Sequence, residues 1–180
     1  MFRRPLRRAI VRPAMRNVFN DELTQAEELL AAGKPAEAAA LFTRMAQQAN
    51  LAGRPRQAAN LHARAAHAWL DAGDQSKALL HARQALDLFT HLGMTQRAIQ
   101  FKSNFSRHLR QCNAAPAAEQ FEHETDLPLA PAASDSPAKH GQLPPTCPQC
   151  GAPLRSDMVE WIDDHNAECE FCGATIPCEA

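Results

Sequence analysis

The chain lacks long apolar runs, and none approaches the ~20 residues that a membrane-spanning helix needs. Its N-terminus is basic but lacks the apolar segment of ~7–15 residues that a secretory signal contains. We therefore expect a cytoplasmic protein. With 180 residues, of which 45% are hydrophobic, the chain can bury one ordinary core and one small additional module.

The sequence also lacks the catalytic motifs that can be recognised by their spacing. It has no G-x-S-x-G nucleophile turn, no phosphate-binding Walker loop and no H-E-x-x-H metalloprotease motif. The eight histidines are scattered, and we interpret those on predicted helices as packed or solvated side chains. The sequence therefore predicts a protein that is not an enzyme and has no small-molecule substrate.

Acidic residues are missing from residues 1–19, which contain six arginines, although the whole chain has a net charge of −1. The later segments differ in charge: +3 for residues 20–112, −4 for 113–146 and −6 for 147–180. Such segregation favours partners of opposite sign, inside or outside the molecule. One hypothesis is that the basic N-terminal segment pairs with the acidic C-terminal residues, within one chain or between two.

The basic N-terminal segment, residues 1–19, is a candidate site for an anionic surface. Its arginines alternate with apolar residues near helical spacing, but Pro13 is expected to break or kink a helix there. Nucleic acid, an anionic membrane, an organelle presequence and a frayed terminus remain open as interpretations. The candidate residues are Arg3, Arg4, Arg7, Arg8, Arg12 and Arg16.

Glycine is scarce, with seven residues in the chain, but four of them recur every 20 residues: Gly33, Gly53, Gly73 and Gly93. An alanine follows each of these glycines by five positions: Ala38, Ala58, Ala78 and Ala98. Glycine tolerates the positive φ of a tight turn, and alanine is the strongest helix former. A fixed period of turn and helix predicts a helical repeat array.

Amphipathic patterns between the glycines predict five antiparallel helices. Apolar residues recur at i, i+3 or i+4 and i+7 in these segments, as they do on the buried face of a helix. Asn20 or Asp21 is the predicted N-cap of the first. The predicted helices cover residues 21–32, 35–52, 55–72, 75–91 and 95–112.

Two segments, GKPAEAAALF at 33–42 and GDQSKALLHA at 73–82, resemble the turn between the two helices of a tetratricopeptide (TPR) repeat. The resemblance implies a superhelix of antiparallel α-hairpins, with Ala38 and Ala78 at the helix crossings and Phe42 at the aromatic position. The chain departs from the family in its 40-residue pair period, against 34, and in having no tyrosine. We expect a TPR-like array with lengthened helices over residues 20–112.

Residues 113–146 contain six prolines among alanine, serine and acidic residues. Such a composition buries too little apolar surface to offset the entropy lost on ordering. We therefore predict a disordered linker, in which Phe121, Leu127 and Leu129 form either a short docking motif or part of a plain tether.

Two cysteine pairs follow the predicted linker, Cys147 with Cys150 and Cys169 with Cys172, and a glycine comes after each pair. Their spacing falls in the C-x2-C-x15–20-C-x2-C range of zinc sites, because two tight turns can aim four thiolates at one ion. The pattern resembles a zinc ribbon with rubredoxin-type knuckles, a small β module covering residues 147–180. It also predicts a strand over 154–162 and a hairpin turn over 163–166.

The four thiolates would close the coordination shell of one Zn2+, so the metal is predicted to be structural. Iron remains an alternative because it accepts the same four-sulfur geometry. Disulfides need an oxidising compartment, for which the sequence has no export signal. His165 and Cys178 are spare donors nearby, and Cys112 is interpreted as a half-buried packing residue.

In TPR-like arrays the first helix of each pair usually lines the partner-binding face. Here these helices are the ones predicted at 55–72 and 95–112. Each carries a polar row at i, i+4 and i+7: Asn60, Arg64 and His67, then Gln100, Asn104 and Arg107. Either the rows bind a peptide or chain terminus of another protein, or they are solvated helix faces. The sequence thus predicts a protein-interaction adaptor, with a nucleic-acid-associated regulator and a membrane-peripheral scaffold as alternatives.

Overall fold

The computed structural model describes residues 13–124, 127–129, 141–154, 156, 159–163, 165–169 and 171–178. For residues 13–17, 160, 162 and 163 only the backbone is described. The protein is mainly helical, with a small antiparallel sheet near the C-terminus, as the sequence predicts. The helices are α1 (Pro13–Ala31), α2 (Pro35–Leu51), α3 (Pro55–Asp71), α4 (Gln75–His91), α5 (Thr95–Gln111) and α6 (Ala115–His123).

Each corner between helices repeats one backbone motif. At the first corner the N–H of Gly33 donates to the carbonyl of Leu30 at 3.0 Å, and the N–H of Lys34 donates to that of Leu29 at 2.9 Å. This pair of bonds is the Schellman motif, which needs a left-handed residue, and Gly33 has φ +71°. The same motif sets the 20-residue period, because a helix of 17 residues and a turn of three follow one another from α2 to α5.

Helix α1 begins earlier than predicted. The predicted N-cap at Asn20 or Asp21 is wrong, since both residues lie inside the helix. Pro13 is the first described residue of α1, a position where a helix tolerates the missing N–H, and the described part of the helix continues from it without a break. The predicted boundary between residues 19 and 20 therefore falls inside α1.

The segment after residue 112 also differs from the predicted linker, because residues 115–123 form α6. Asn113 has φ +59° and takes the place of the corner glycine. Ala118 and Phe121 follow it by five and eight positions and are fully buried. Asparagine tolerates the left-handed conformation better than most residues, so the repeat continues for one more helix.

Each helix packs against its neighbour in the chain, and α3 also contacts α1 and α5. We call the side on which α1, α3 and α5 lie next to one another the odd-helix face. The apolar core has two clusters, one made by α1 to α3 with the C-terminal residues and one made by α3 to α6. The alanines expected at helix crossings, Ala38 and Ala78, are fully buried.

The C-terminal residues 147–178, which we call the cysteine module, contain three short strands. They are β1 (Glu160–Asp163), β2 (Asn166–Glu168) and β3 (Thr175–Pro177), in the order β1-β2-β3 with antiparallel neighbours. The hairpin predicted at residues 163–166 joins β1 to β2. The third strand was not predicted; its Ile176 pairs with Ala167, and both side chains are fully buried.

A hydrogen-bonded pair of buried histidines lies among α2, α3 and α4. The Asn50 amide Nδ2 contacts Nε2 of His62 at 3.3 Å, and the two Nδ1 atoms of His62 and His81 are 3.0 Å apart. His81 Nε2 and the indole of Trp69 both contact Thr43 Oγ1, each at 3.1 Å. The amide nitrogen of Asn50 and the indole N–H of Trp69 can only donate. Every contact in the network therefore has one donor and one acceptor when both histidines are neutral.

Burial, and then the neighbouring His81, lower the pKa of His62 from 6.5 to about 4. The folded state therefore binds fewer protons than the unfolded state between these pH values, and stability falls as pH drops from 6.5 towards 4. At 1.36 kcal/mol per pH unit, His62 alone accounts for up to about 3 kcal/mol.

We expect His62→Gln to flatten the dependence of the unfolding free energy on pH in this window. Glutamine keeps a donor and an acceptor but has no titrating group there. Denaturant unfolding at a series of pH values measures the slope for both proteins. Protonation of the cysteine thiolates affects the wild type and the variant equally. Parallel curves of unfolding free energy against pH would therefore contradict the role given to His62.

Candidate metal centre

Two backbone turns with the same hydrogen bond present the cysteines. The N–H of Gly151 donates to the carbonyl of Cys147 at 2.7 Å, and that of Gly173 donates to the carbonyl of Cys169 at 2.9 Å. Both glycines have positive φ, +76° and +72°, which residues with a Cβ rarely adopt. The glycine after each cysteine pair is therefore what lets the turn close beneath the sulfurs.

The turns bring together the four sulfurs that the spacing predicted. Cys147 Sγ lies 3.7 Å from Cys172 Sγ, and Cys150 Sγ lies 3.7 Å from Cys169 Sγ. All four sulfurs lie within 4.8 Å of one another. A tetrahedral ion with metal–sulfur bonds of about 2.3 Å would separate its ligands by about 3.8 Å. The donor set and its dimensions therefore fit one four-coordinate ion, whereas a disulfide would need about 2.05 Å.

The sulfurs already differ in their affinity for protons. A hydrogen bond from the Cys150 thiol lowers the pKa of Cys169 to about 5. Burial acts in the opposite direction, and hydrogen bonds from the backbone N–H groups of Cys172 and Phe171 lower the pKa further. The same thiol contact, followed by burial, raises the pKa of Cys150. A bound cation would have to displace the protons that remain, so metal binding would release protons and strengthen as pH rises.

The predicted linker implied that the cysteine module is separate from the helices. In the structure the module packs against them. Phe171, between the third and fourth cysteines, is 3% exposed. Its ring meets Phe19 of α1 edge to face, with centroids 6.0 Å apart. The Arg64 guanidinium carbon of α3 lies 5.2 Å from the centroid of the same ring. The module therefore shares an apolar cluster with α1 to α3 and packs against the odd-helix face.

Polar contacts surround this aromatic contact. Arg56 of α3 forms an ion pair with Glu168 of β2. Its guanidinium lies against Gly173, where an added Cβ would overlap it, and Asn20 of α1 occupies the equivalent place at Gly151. The glycines that close the two turns are thus also the points at which the helices approach the metal centre.

Comparisons with protein-family models, with curated proteins and with solved structures find no match to this chain. Among the described helices, none is long and apolar enough to cross a membrane.

The first predicted polar row is largely buried, and one of its residues, Arg64, contacts the module. Asn60 and Arg64 are 5% and 8% exposed. Arg64 forms an ion pair with Glu27 of α1, and His67 lies against the rings of Phe101 and Phe105 on α5. Because Asn60 is buried and Arg64 and His67 make contacts between helices, these three residues do not form an open groove.

The second predicted row remains accessible. Gln100, Asn104 and Arg107 are all exposed on α5, and Arg107 Nη1 donates to Asn104 Oδ1 at 3.4 Å. The two rows therefore differ in availability, although their sequence patterns are alike. Their role in binding a partner stays a prediction.

The remaining candidates are placed as follows. Arg3, Arg4, Arg7, Arg8 and Arg12 lie outside the described residues, and of Arg16 only the backbone is described, so anion binding stays a prediction. Cys178 N–H donates to the carbonyl of His165 at 2.7 Å, and neither side chain belongs to the four-sulfur group. Cys112 is exposed after the end of α5, not half-buried as expected.

Proposed function

We propose that this chain is a non-catalytic protein-interaction adaptor in which a TPR-like array recognises a partner and a zinc ribbon is held by one structural ion. The observation that carries the proposal is the exposed polar row of α5, formed by Gln100, Asn104 and Arg107. A row of this kind offers amide and guanidinium groups at one-turn intervals.

Four thiolates around one ion leave no coordination position for water or substrate, which supports a structural role for the metal. Zinc is the ion that we propose, and iron is the alternative for the same four sulfurs. Elemental analysis of the purified protein, with its visible absorption spectrum, separates the two, because a ferric tetrathiolate is coloured and zinc is not.

The chemistry of the α5 row favours a carboxylate as its ligand. Arg107 has a planar fork of donors that can hold both oxygens of a carboxylate, and the amides of Gln100 and Asn104 can bond a peptide backbone. An acidic segment or a chain terminus of another protein fits this set of groups.

Reversing the charge of this row should remove the partner. Hydrogen bonds to charged groups contribute about 1.5–3 kcal/mol, so Arg107→Glu should reduce partner recovery at least tenfold. Affinity purification from the native host, quantified by mass spectrometry against the wild-type chain, measures the loss.

A matched control is Lys34→Glu, the same reversal at an exposed position on the α1–α2 corner. It should leave recovery unchanged. Equal recovery with Arg107→Glu and with wild type would remove the row from the proposal.

A further inference from the structure

A short acidic segment with one aromatic ring makes part of the contact between the cysteine module and the helices. Phe171 inserts between Phe19 and the Arg64 guanidinium, at 6.0 Å and 5.2 Å from its ring centroid. Glu168, three residues earlier, forms an ion pair with Arg56. A glutamate and a phenylalanine thus provide the two kinds of contact that a linear peptide can reproduce.

The surface that receives this segment is basic and aromatic. We call it the α1–α3 surface and define it by Phe19, Arg56 and Arg64. Arginine pairs with carboxylates and stacks on aromatic rings, and here Arg56 makes the first contact while Arg64, which is ion-paired with Glu27, makes the second. The charges agree, because residues 20–112 carry +3 and residues 147–180 carry −6. Four thiolates around a divalent ion would add a further −2.

The spacing of these two residues is specific within the chain. Of the eight phenylalanines, Phe171 alone has an acidic residue three positions before it. No other segment of this sequence could therefore make both contacts in the same way.

We propose that the α1–α3 surface is a docking site for an acidic peptide segment of a partner protein, with a glutamate three residues before a phenylalanine, and that the cysteine module is its resident occupant. This inference deepens the proposed function and rests on it. The adaptor then has two binding areas, the open α5 row and a covered surface.

The metal controls access to the covered surface. Phe171 lies between two metal ligands, Cys169 and Cys172, so the ion fixes the turn that presents its ring. Without the ion the turn is released, but the segment stays tethered close to the surface at a high effective concentration. A partner peptide therefore competes best when the metal is absent and the ring of Phe171 is also removed.

The experiment measures binding of a fluorescent peptide to the full chain by anisotropy. The peptide is the chain's own segment 166–175, with serine in place of Cys169 and Cys172. Three receptors are compared: metal-loaded wild type, chelated wild type and chelated Phe171→Ala. We expect affinity to increase in this order, at least tenfold from first to last. A peptide with Phe171→Ala should not bind any of them.

Variants of the receptor locate the site. Arg56→Gln in the chelated Phe171→Ala chain should weaken peptide binding at least fivefold. Arg83→Gln, which removes an ion-paired arginine from α4 away from this surface, should leave it unchanged. Equal binding to all three receptors, or no binding to the chelated variant, would overturn the inference. Neither result would alter the effect of Arg107→Glu on partner recovery, which tests the proposed function separately.

Discussion

Removing the ion from the four-cysteine site is expected to unfold the cysteine module and to leave the helices folded. Metal binding contributes about 10–16 kcal/mol in small zinc-dependent folds. The module has strands of only three or four residues, and its most deeply buried aromatic ring, Phe171, packs against α1 and α3. After chelation we expect a retained helical circular dichroism signal and rapid proteolysis within residues 147–178.

The helices should nevertheless lose some stability when the module leaves. Phe171 and Ile176 belong to the same apolar cluster as α1 to α3. Exposing a phenylalanine costs about 1.5–3 kcal/mol, which for an array of this size lowers the thermal midpoint by several degrees. The helical transition should therefore move to lower temperature without disappearing.

Two cysteine variants make the test specific. Cys172→Ser removes one of the four sulfurs and should reproduce the effect of the chelator. Cys178→Ser changes a cysteine of the same module outside the four and should keep one ion per chain by elemental analysis. The description of the site is wrong if Cys178→Ser also loses the metal, or if the helical signal melts together with it.

Local sequence signals predicted the repeated part of the fold well, because each corner is determined within a few residues. The predicted helices at 35–52, 55–72, 75–91 and 95–112 agree with α2 to α5 to within one residue. The four-sulfur site was equally local, since each turn needs only a pair of cysteines and the glycine after it.

The sixth helix was missed because its signal depends on the period and not on composition. Asn113 stands where the glycine is expected, and Pro116 with several alanines suggested a linker. Counting 20 residues beyond Gly93 would have reached Asn113, and the buried positions at Ala118 and Phe121 follow from the same count.

The 20-residue repeat does not indicate where the cysteine module packs against the helices. Docking depends on Phe19 and Arg56, which lie more than 100 residues before Phe171 and Glu168, the residues that they contact, and belong to no recognisable motif. One signal was present: an apolar Phe171 between two candidate metal ligands, in a module of few residues. Tertiary packing also buried most of one polar row, through contacts with α1, α5 and the module, and left the other row exposed.

Truncating Phe121 is expected to destabilise the helical array by about 3–5 kcal/mol, the usual cost of Phe→Ala in a core. Phe121 is fully buried, and its ring meets Phe105 edge to face with centroids 5.1 Å apart. Phe105 in turn stacks on Phe101 at 5.7 Å, so the truncation opens a cavity at the end of an aromatic series through α5. Denaturant unfolding of Phe121→Ala, followed by circular dichroism, measures the loss.

Ion pairs alone cannot replace this contact. Arg83 bonds both carboxylate oxygens of Glu124 at 2.7 Å, and Arg110 bonds Glu122 at 2.8 Å, but these arginines are exposed. Exposed pairs contribute about 0.2–1 kcal/mol each, well below the cost of the cavity. Leu80→Ala, at a side chain 52% exposed on α4, is the control and should change the unfolding free energy by about 0.5 kcal/mol or less. If Phe121→Ala is as mild as this control, residues 115–123 are a linker after all, and the repeat ends at α5.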